Sequence, residues 1–112
     1  MKRFILLAAC IASAPTFAKY DDNKAIAECN KLTTQASKIG SLQKEEACKA
    51  FFTEIKGTYR TACYRVESDR IEAKVLLGYA MDYLDNSRQF KCTAQDKVKT
   101  LKQNTMLLSN NL

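Results

Sequence analysis

Residues 21–40, DDNKAIAECNKLTTQASKIG, carry the pattern that decides the fold class. Apolar residues recur here at three- and four-residue steps, the spacing of one helix face: Ala25, Ile26, Cys29, Leu32, Ala36 and Ile39. Asp21, Asp22 and Asn23 precede the pattern and are good caps for a helix N-terminus. Gly40 follows it as a C-terminal stop. The stretch therefore predicts an amphipathic helix of about 17 residues.

A second helix is predicted to begin directly after this stop. Ser41 can cap it, and its apolar stripe comprises Leu42, Ala47, Cys48, Phe51, Phe52 and Ile55. Gly57 either ends this helix or is a close-packing point within a longer one, because the helical period continues through Tyr59 and Val66.

Two further helices are predicted in the second half of the chain. Ser68 and Asp69 provide a cap ahead of residues 71–84, which are apolar nearly all round. This composition favours the central helix of a bundle, with Tyr79 and Tyr83 in the core.

The last helix follows a loop over residues 88–91. Thr93-x-x-Asp96 resembles a capping box with Asp in place of Glu, and Val98, Leu101, Thr105 and Leu108 line one side of the helix. The complete pattern predicts an all-α fold, a small bundle of four or five helices.

The N-terminus has the organisation of a secretory signal. Two cations precede an apolar run over residues 4–12, and Thr16 and Ala18 supply the small residues that signal peptidase needs. The run is too short for a membrane-spanning helix. We therefore expect a cleavable signal over residues 1–18, and a single disulfide-bonded domain over residues 19–112.

A lipid anchor is the alternative at this end of the chain. The sequence Leu-Ala-Ala-Cys, ending at Cys10, resembles a bacterial lipobox. Small and apolar residues continue after Cys10, whereas a lipoprotein usually turns polar there. Membrane contact is expected only if Cys10 is lipidated, which would make the protein an outer-membrane lipoprotein.

Removing the signal leaves an even number of cysteines. The four that remain are Cys29, Cys48, Cys63 and Cys92. An even count in a small exported domain predicts two disulfides, with three connectivities open. The spacings lack the short Cys and His pairs of zinc sites, so no metal or other cofactor is expected.

Helix geometry favours one of these connectivities. If the first two helices turn at Gly40, Cys29 and Cys48 lie at similar heights in antiparallel helices. This predicts the pairs Cys29–Cys48 and, by elimination, Cys63–Cys92. If the second helix is unbroken, Cys48 and Cys63 lie about 22 Å apart and cannot pair.

The chain contains no histidine. Nucleophilic sites of the Ser-His-Asp or Cys-His type are therefore excluded, and no enzyme activity is expected. The alternative is a small lytic hydrolase of the cell envelope that acts through carboxylates. Its candidates alternate with Lys and Arg, which is typical of solvated helix faces: Glu45, Glu46, Glu54, Glu67 and Glu72.

Charge and surface residues indicate the kind of partner. Of 18 basic and 12 acidic side chains, two basic ones lie in the predicted signal, leaving 16 against 12 and a net charge of +4. The cations are dispersed, so nucleic acid is not an expected partner. Arg60 and Tyr64 share one helix face opposite Tyr59 and Cys63, and Arg and Tyr are enriched in binding hot spots. We expect Arg60 and Tyr64 to contact a protein partner.

The compact signal is typical of bacteria, so we expect a periplasmic or secreted protein. The leading hypothesis is a non-enzymatic periplasmic module that binds a protein of the envelope. An inhibitor, an immunity protein, or an accessory factor of a pilus, secretion or conjugation machine would fit that description. The partner's identity and the oligomeric state are left open by the sequence.

Overall fold

Four α-helices make up the part of the chain that the computed structural model describes, residues 19–112. Their bounds are α1 Asp22–Ser41, α2 Glu46–Arg65, α3 Arg70–Gln89 and α4 Gln95–Asn110. Each helix packs against two others, α1 and α3 both lying beside α2 and α4. Short connections join consecutive helices, so these form an antiparallel bundle. The predicted all-α fold is confirmed, with four helices and no strand within residues 19–112.

The predicted signal peptide and the alternative anchor at Cys10 lie outside the described residues. None of the helices within residues 19–112 is long and apolar enough to cross a membrane. These residues share one apolar core, to which all four helices contribute. Its largest fully buried side chains are Phe52, Ile55, Tyr59, Leu77, Leu84, Leu101 and Leu108.

The N-termini of α1 and α3 lie at one end of the bundle, which we call the capped end. Asp21 accepts a hydrogen bond from the Lys24 backbone N–H at 2.8 Å, and Asp69 accepts one from Glu72 at 3.0 Å. Each aspartate satisfies an N–H group that the first helical turn leaves open, and its charge suits the helix dipole. Both caps were predicted from the sequence.

The N-termini of α2 and α4 lie at the opposite end, which we call the bridged end. Neither N-cap residue, Glu45 or Ala94, makes a side-chain cap hydrogen bond. The predicted caps at Ser41 and Thr93 are both wrong. Ser41 belongs to α1, where its hydroxyl donates to the Lys38 carbonyl, and α4 begins after Ala94, which is left-handed at φ 66°.

A glutamine side chain joins the two connections at the bridged end. The Gln43 amide donates to the Thr93 carbonyl at 2.9 Å, and its oxygen accepts from the Thr93 N–H at 2.9 Å. The same amide nitrogen donates to the Ile39 carbonyl at 3.1 Å. Gln43 is buried, so these bonds form in a medium where unpaired polar groups are costly.

The predicted central position of α3 is wrong. This helix buries only the stripe formed by Ala73, Leu77, Ala80, Leu84 and Ser87. Tyr79 was expected in the core but is 56% exposed, whereas Tyr83 packs partly buried against the core. In a ring of four helices no helix is central, so each one turns a face to solvent.

The structure contains the disulfides Cys29–Cys63 and Cys48–Cys92, with Cα–Cα distances of 5.5 and 5.6 Å. The two predicted disulfides are confirmed, but the predicted pairing is wrong. The first bridge joins α1 to α2, and the second joins the first turn of α2 to the connection after α3. The exclusion of a Cys48–Cys63 pair is confirmed, because α2 is unbroken between them.

The pairing follows from the register of α1 against α2. Gly40 does not stop α1 but lies in its last turn, where a Cβ atom would meet the Phe52 Cβ at 3.1 Å. Cys29 lies eleven residues before Gly40, and Cys63 lies eleven residues after Phe52. The two cysteines are therefore level in antiparallel helices. The turn comes later than expected, which puts Cys48 at the bridged end.

Candidate protein-binding surfaces

Arg60 and Tyr64 lie on the outward face of α2, as the helical period predicted. Tyr64 is 83% exposed, and Arg60 is also exposed. On the opposite face Tyr59 and Cys63 are buried in the core. The structure thus brings the two predicted contact residues together on one surface, one helical turn apart. Their role in partner binding stays a prediction.

Gly57 extends this surface towards the bridged end. It lies three residues before Arg60 and seven before Tyr64, which places it on the same helix face. It neither ends the helix nor packs closely, since no atom lies within 4 Å of the position that a Cβ would take. The result is a shallow notch in the outward face. We call Gly57, Arg60 and Tyr64 the α2 surface.

The backbone beneath the α2 surface is fixed on two sides. Cys63, the residue before Tyr64, is bonded to Cys29 of α1. On the other side Arg65 forms an ion pair with Glu72 of α3 at 3.7 Å. Tyr64 therefore projects from a rigid backbone, and only the torsions of its own side chain are ordered on binding.

Charge adds a polar contact to this surface. None of the ion pairs formed within residues 19–112 includes Arg60. The guanidinium group can donate two parallel hydrogen bonds to one carboxylate. The α2 surface thus combines an aromatic ring, an anion-binding group and accessible backbone within about 11 Å along the helix axis.

A second outward surface lies on α3 and escaped the sequence analysis. Ile71 is 78% exposed, and Val75 and Tyr79 follow at four-residue steps, about half exposed. Met106 of α4 lies beside them. We call Ile71, Val75, Tyr79 and Met106 the α3 surface. The four-residue spacing was visible in the sequence, but so many apolar residues surround it that the uncovered face could not be identified.

The α3 surface borders a shallow groove of about 470 Å³ between α3 and α4. Gly78 lies in its wall, again with no atom within 4 Å of a Cβ position. Asp85 and Lys102 lie in the groove as an ion pair at 2.8 Å. Asp82 also lines the groove, so one end is apolar and the other carries two carboxylates, of which Asp85 is paired with Lys102.

The titratable groups within residues 19–112 form neither a metal-ligand cluster nor a buried carboxylate pair. No group of three or more metal-ligating side chains occurs within residues 19–112. The carboxylates proposed for a lytic site do not form a buried pair: Glu54 and Glu67 are exposed, and Glu72 pairs with Arg65. A carboxyl group needs an apolar pocket to become a general acid near neutral pH.

Within residues 19–112, the buried phenol of Tyr59 is the one titratable group with a strongly shifted pKa. Burial raises the pKa of Tyr59 well above its usual range. The Thr105 hydroxyl donates its single proton to the Leu101 carbonyl at 2.7 Å, so it accepts from the Tyr59 hydroxyl. This bond crosses the core from α2 to α4, and the phenol acts as a neutral donor within the packing.

Comparisons with protein-family models, with curated proteins and with solved structures find no match to this chain. The α2 surface offers mixed aromatic and cationic contacts. The α3 surface is mainly apolar.

Proposed function

We propose that this protein is a non-enzymatic protein-binding module of the bacterial periplasm, and that its α2 surface contacts the partner. The observation that carries the proposal is Tyr64, which is 83% exposed beside Arg60 on a disulfide-fixed helix. Tyr64 is the most exposed large hydrophobic side chain within residues 19–112. Tyr and Arg are the residue types that dominate binding hot spots.

Rigidity supports this proposal in energetic terms. Each long, flexible side chain that becomes ordered on association costs about 0.5–1.5 kcal/mol. The α2 backbone is already ordered by the core and by Cys29–Cys63, so binding orders only the outward side chains. Tyrosine suits such a surface because it has few torsions for its contact area.

The residues of the α2 surface indicate which chemical groups the partner presents. Tyr64 requires an apolar or aromatic pocket, and Arg60 requires a carboxylate about one helical turn away. The Gly57 notch allows a bulky side chain or a second helix to approach the α2 backbone. An acidic protein surface with an adjacent apolar depression meets these requirements.

Two disulfides indicate an oxidising, extracytoplasmic environment. Together with the predicted signal peptide, they support export to the periplasm. The partner would be an envelope protein, such as an enzyme that this module inhibits, a toxin that it neutralises, or a component of a pilus, secretion or conjugation machine.

Site-specific photo-crosslinking in the producing cells tests the proposal. A benzoyl-phenylalanine residue replaces Tyr64 in one variant and Thr100 in another. Thr100 is exposed on α4, which lies diagonally opposite α2 in the bundle. We expect a single adduct from position 64 and none from position 100.

Two additional arms define the outcome. Replacing Arg60 by alanine in the position-64 variant should weaken that adduct strongly, because the guanidinium contact is lost. Cleavage of cell-wall glycan by the purified protein is assayed in parallel. The absence of a specific adduct at position 64, or glycan cleavage that Glu54→Gln or Glu67→Gln removes, would contradict the proposal.

A further inference from the structure

We infer that a second copy of this chain covers the α3 surface, forming a two-fold symmetric dimer in which the two α3 helices pack antiparallel across Gly78. This inference uses a different face from the α2 surface and does not depend on partner binding there. It rests on the charges that flank Gly78, on the open notch at that glycine, and on the exposed apolar area.

The arrangement of charges is self-complementary. Lys74 lies four residues before Gly78 and Asp82 lies four residues after it, both exposed. When two α3 helices cross antiparallel at Gly78, each Lys74 is level with Asp82 of the other copy. A two-fold interface repeats every contact, so two ion pairs form. A parallel crossing at Gly78 would instead place like charges together.

The apolar residues fit the same crossing. In this register Val75 of one copy is level with Met81 of the other, beside Met106. Tyr79 lies next to Gly78 of the other copy, where the missing side chain leaves space for the ring. A glycine within a helix costs about 0.5–1 kcal/mol relative to alanine, and packing inside the monomer does not require one at this position.

The small exposed apolar area limits the strength of association. Ile71, Val75, Tyr79 and Met106 together expose on the order of 450 Å², the size of the largest apolar patch on many monomers. A standard stable interface buries about 800 Å² per partner. The dimer is therefore weak and reversible, with a dissociation constant in the micromolar to millimolar range.

Sedimentation equilibrium of the exported, disulfide-bonded protein tests this inference, with concentrations up to about 1 mM to cover the expected range. Lys74→Asp alone and Asp82→Lys alone should each weaken dimerisation at least tenfold, because each brings like charges together. An equimolar mixture of these two variants should associate, because each copy then supplies the charge that the other lacks. The double variant with both substitutions should also dimerise.

Two further variants separate the interface from the fold. Gly78→Leu should abolish dimerisation while leaving the helical circular dichroism unchanged, since the added side chain fills only the notch. Arg60→Ala, on the α2 surface, should leave the dissociation constant unchanged. Sedimentation as a monomer at every concentration would overturn the inference. Dimerisation of Gly78→Leu would overturn it as well. So would a failure of the Lys74→Asp and Asp82→Lys variants to associate when they are mixed.

Discussion

The two ends of the bundle are held by different means. At the capped end, Asp21 and Asp69 cap α1 and α3 from within their own sequences. At the bridged end, α2 and α4 begin without side-chain caps, and the Cys48–Cys92 disulfide and the Gln43 side chain join the two connections instead. Long-range bonds are also present at the capped end, where Arg70 pairs with Asp22 at 2.7 Å and the Tyr20 N–H donates to the Asn111 carbonyl at 2.9 Å. At the bridged end, long-range bonds stand in for the missing side-chain caps.

The ends also differ in what they present to solvent. Tyr64 and Ile71 are the most exposed large hydrophobic residues within residues 19–112, and both lie in the half of the bundle nearest the capped end. At the bridged end the exposed Phe90 packs against Phe51, with ring centroids 5.2 Å apart. The bridged end is closed by a disulfide, whereas the most exposed residues of the two proposed binding surfaces lie nearer the capped end.

The largest expected effect comes from removing the bridge. Replacing Cys48 and Cys92 by alanine should lower the free energy of unfolding by about 4 kcal/mol, because a loop of 44 residues is no longer closed in the unfolded chain. Denaturant unfolding under non-reducing conditions measures the loss. Replacing Cys29 and Cys63 by alanine is the matched control, with a similar cost. Only the first variant should speed amide exchange at residues 90–94, and equal exchange in both would contradict the distinction between the ends.

A smaller loss is expected at Gln43. Gln43→Ala removes three hydrogen bonds and leaves the Thr93 backbone groups without these partners, which should cost about 2 kcal/mol. Gln43→Glu is the sharper variant, because its carboxylate would face the Thr93 and Ile39 carbonyls that now accept hydrogen bonds. Thermal unfolding should rank wild type above Gln43→Ala, with Gln43→Glu lowest at neutral pH. If Gln43→Glu unfolds at the same temperature as wild type, the Gln43 side chain does not hold the bridged end together.

Loss of a cap at the opposite end should cost less. Asp69→Ala should lower the free energy of unfolding by about 1 kcal/mol, since the Glu72 N–H loses its acceptor. Asp69→Asn, which retains a capping oxygen, should recover most of this loss. If Asp69→Ala instead destabilises the protein more than Gln43→Ala does, the proposed order of the two ends is wrong.

The smallest effect is a gain in stability at the bridged end. Ala94 is left-handed at φ 66°, where glycine carries no steric penalty. Ala94→Gly should therefore stabilise the fold by about 0.5 kcal/mol. The same substitution at Ala50, exposed within α2, should destabilise it by about 1 kcal/mol. The denaturant midpoint should rise for Ala94→Gly and fall for Ala50→Gly, relative to wild type. Shifts in these opposite directions would confirm the strain at Ala94.

Sequence reasoning succeeded where the determinants are local. Asp21 and Asp69 act through the turn that follows them, so their roles could be predicted. Ser41 and Thr93 have equally good cap chemistry, but packing of Gly40 on Phe52 and the bonds from Gln43 set the helix bounds at the bridged end. No local pattern contains that information.

Local sequence patterns are also insufficient to predict the cysteine pairing and the residues exposed on α3. The number of disulfides follows from composition, but their pairing depends on the register of α1 against α2. The exposure of Arg60 and Tyr64 follows from the helical period, because α2 has a clear apolar stripe. Residues 71–84 have no such contrast, so the exposed positions of Ile71 and Tyr79 required the structure.

The most direct test of this account is the disulfide map of the exported protein. Trypsin places each cysteine in a separate peptide; the four peptides span residues 25–31, 45–49, 61–65 and 92–97. Mass spectrometry of a non-reduced digest should find 25–31 linked to 61–65, and 45–49 linked to 92–97. A peptide 25–31 linked to 45–49 would contradict both the register of α1 against α2 and the bridge that closes one end of the bundle.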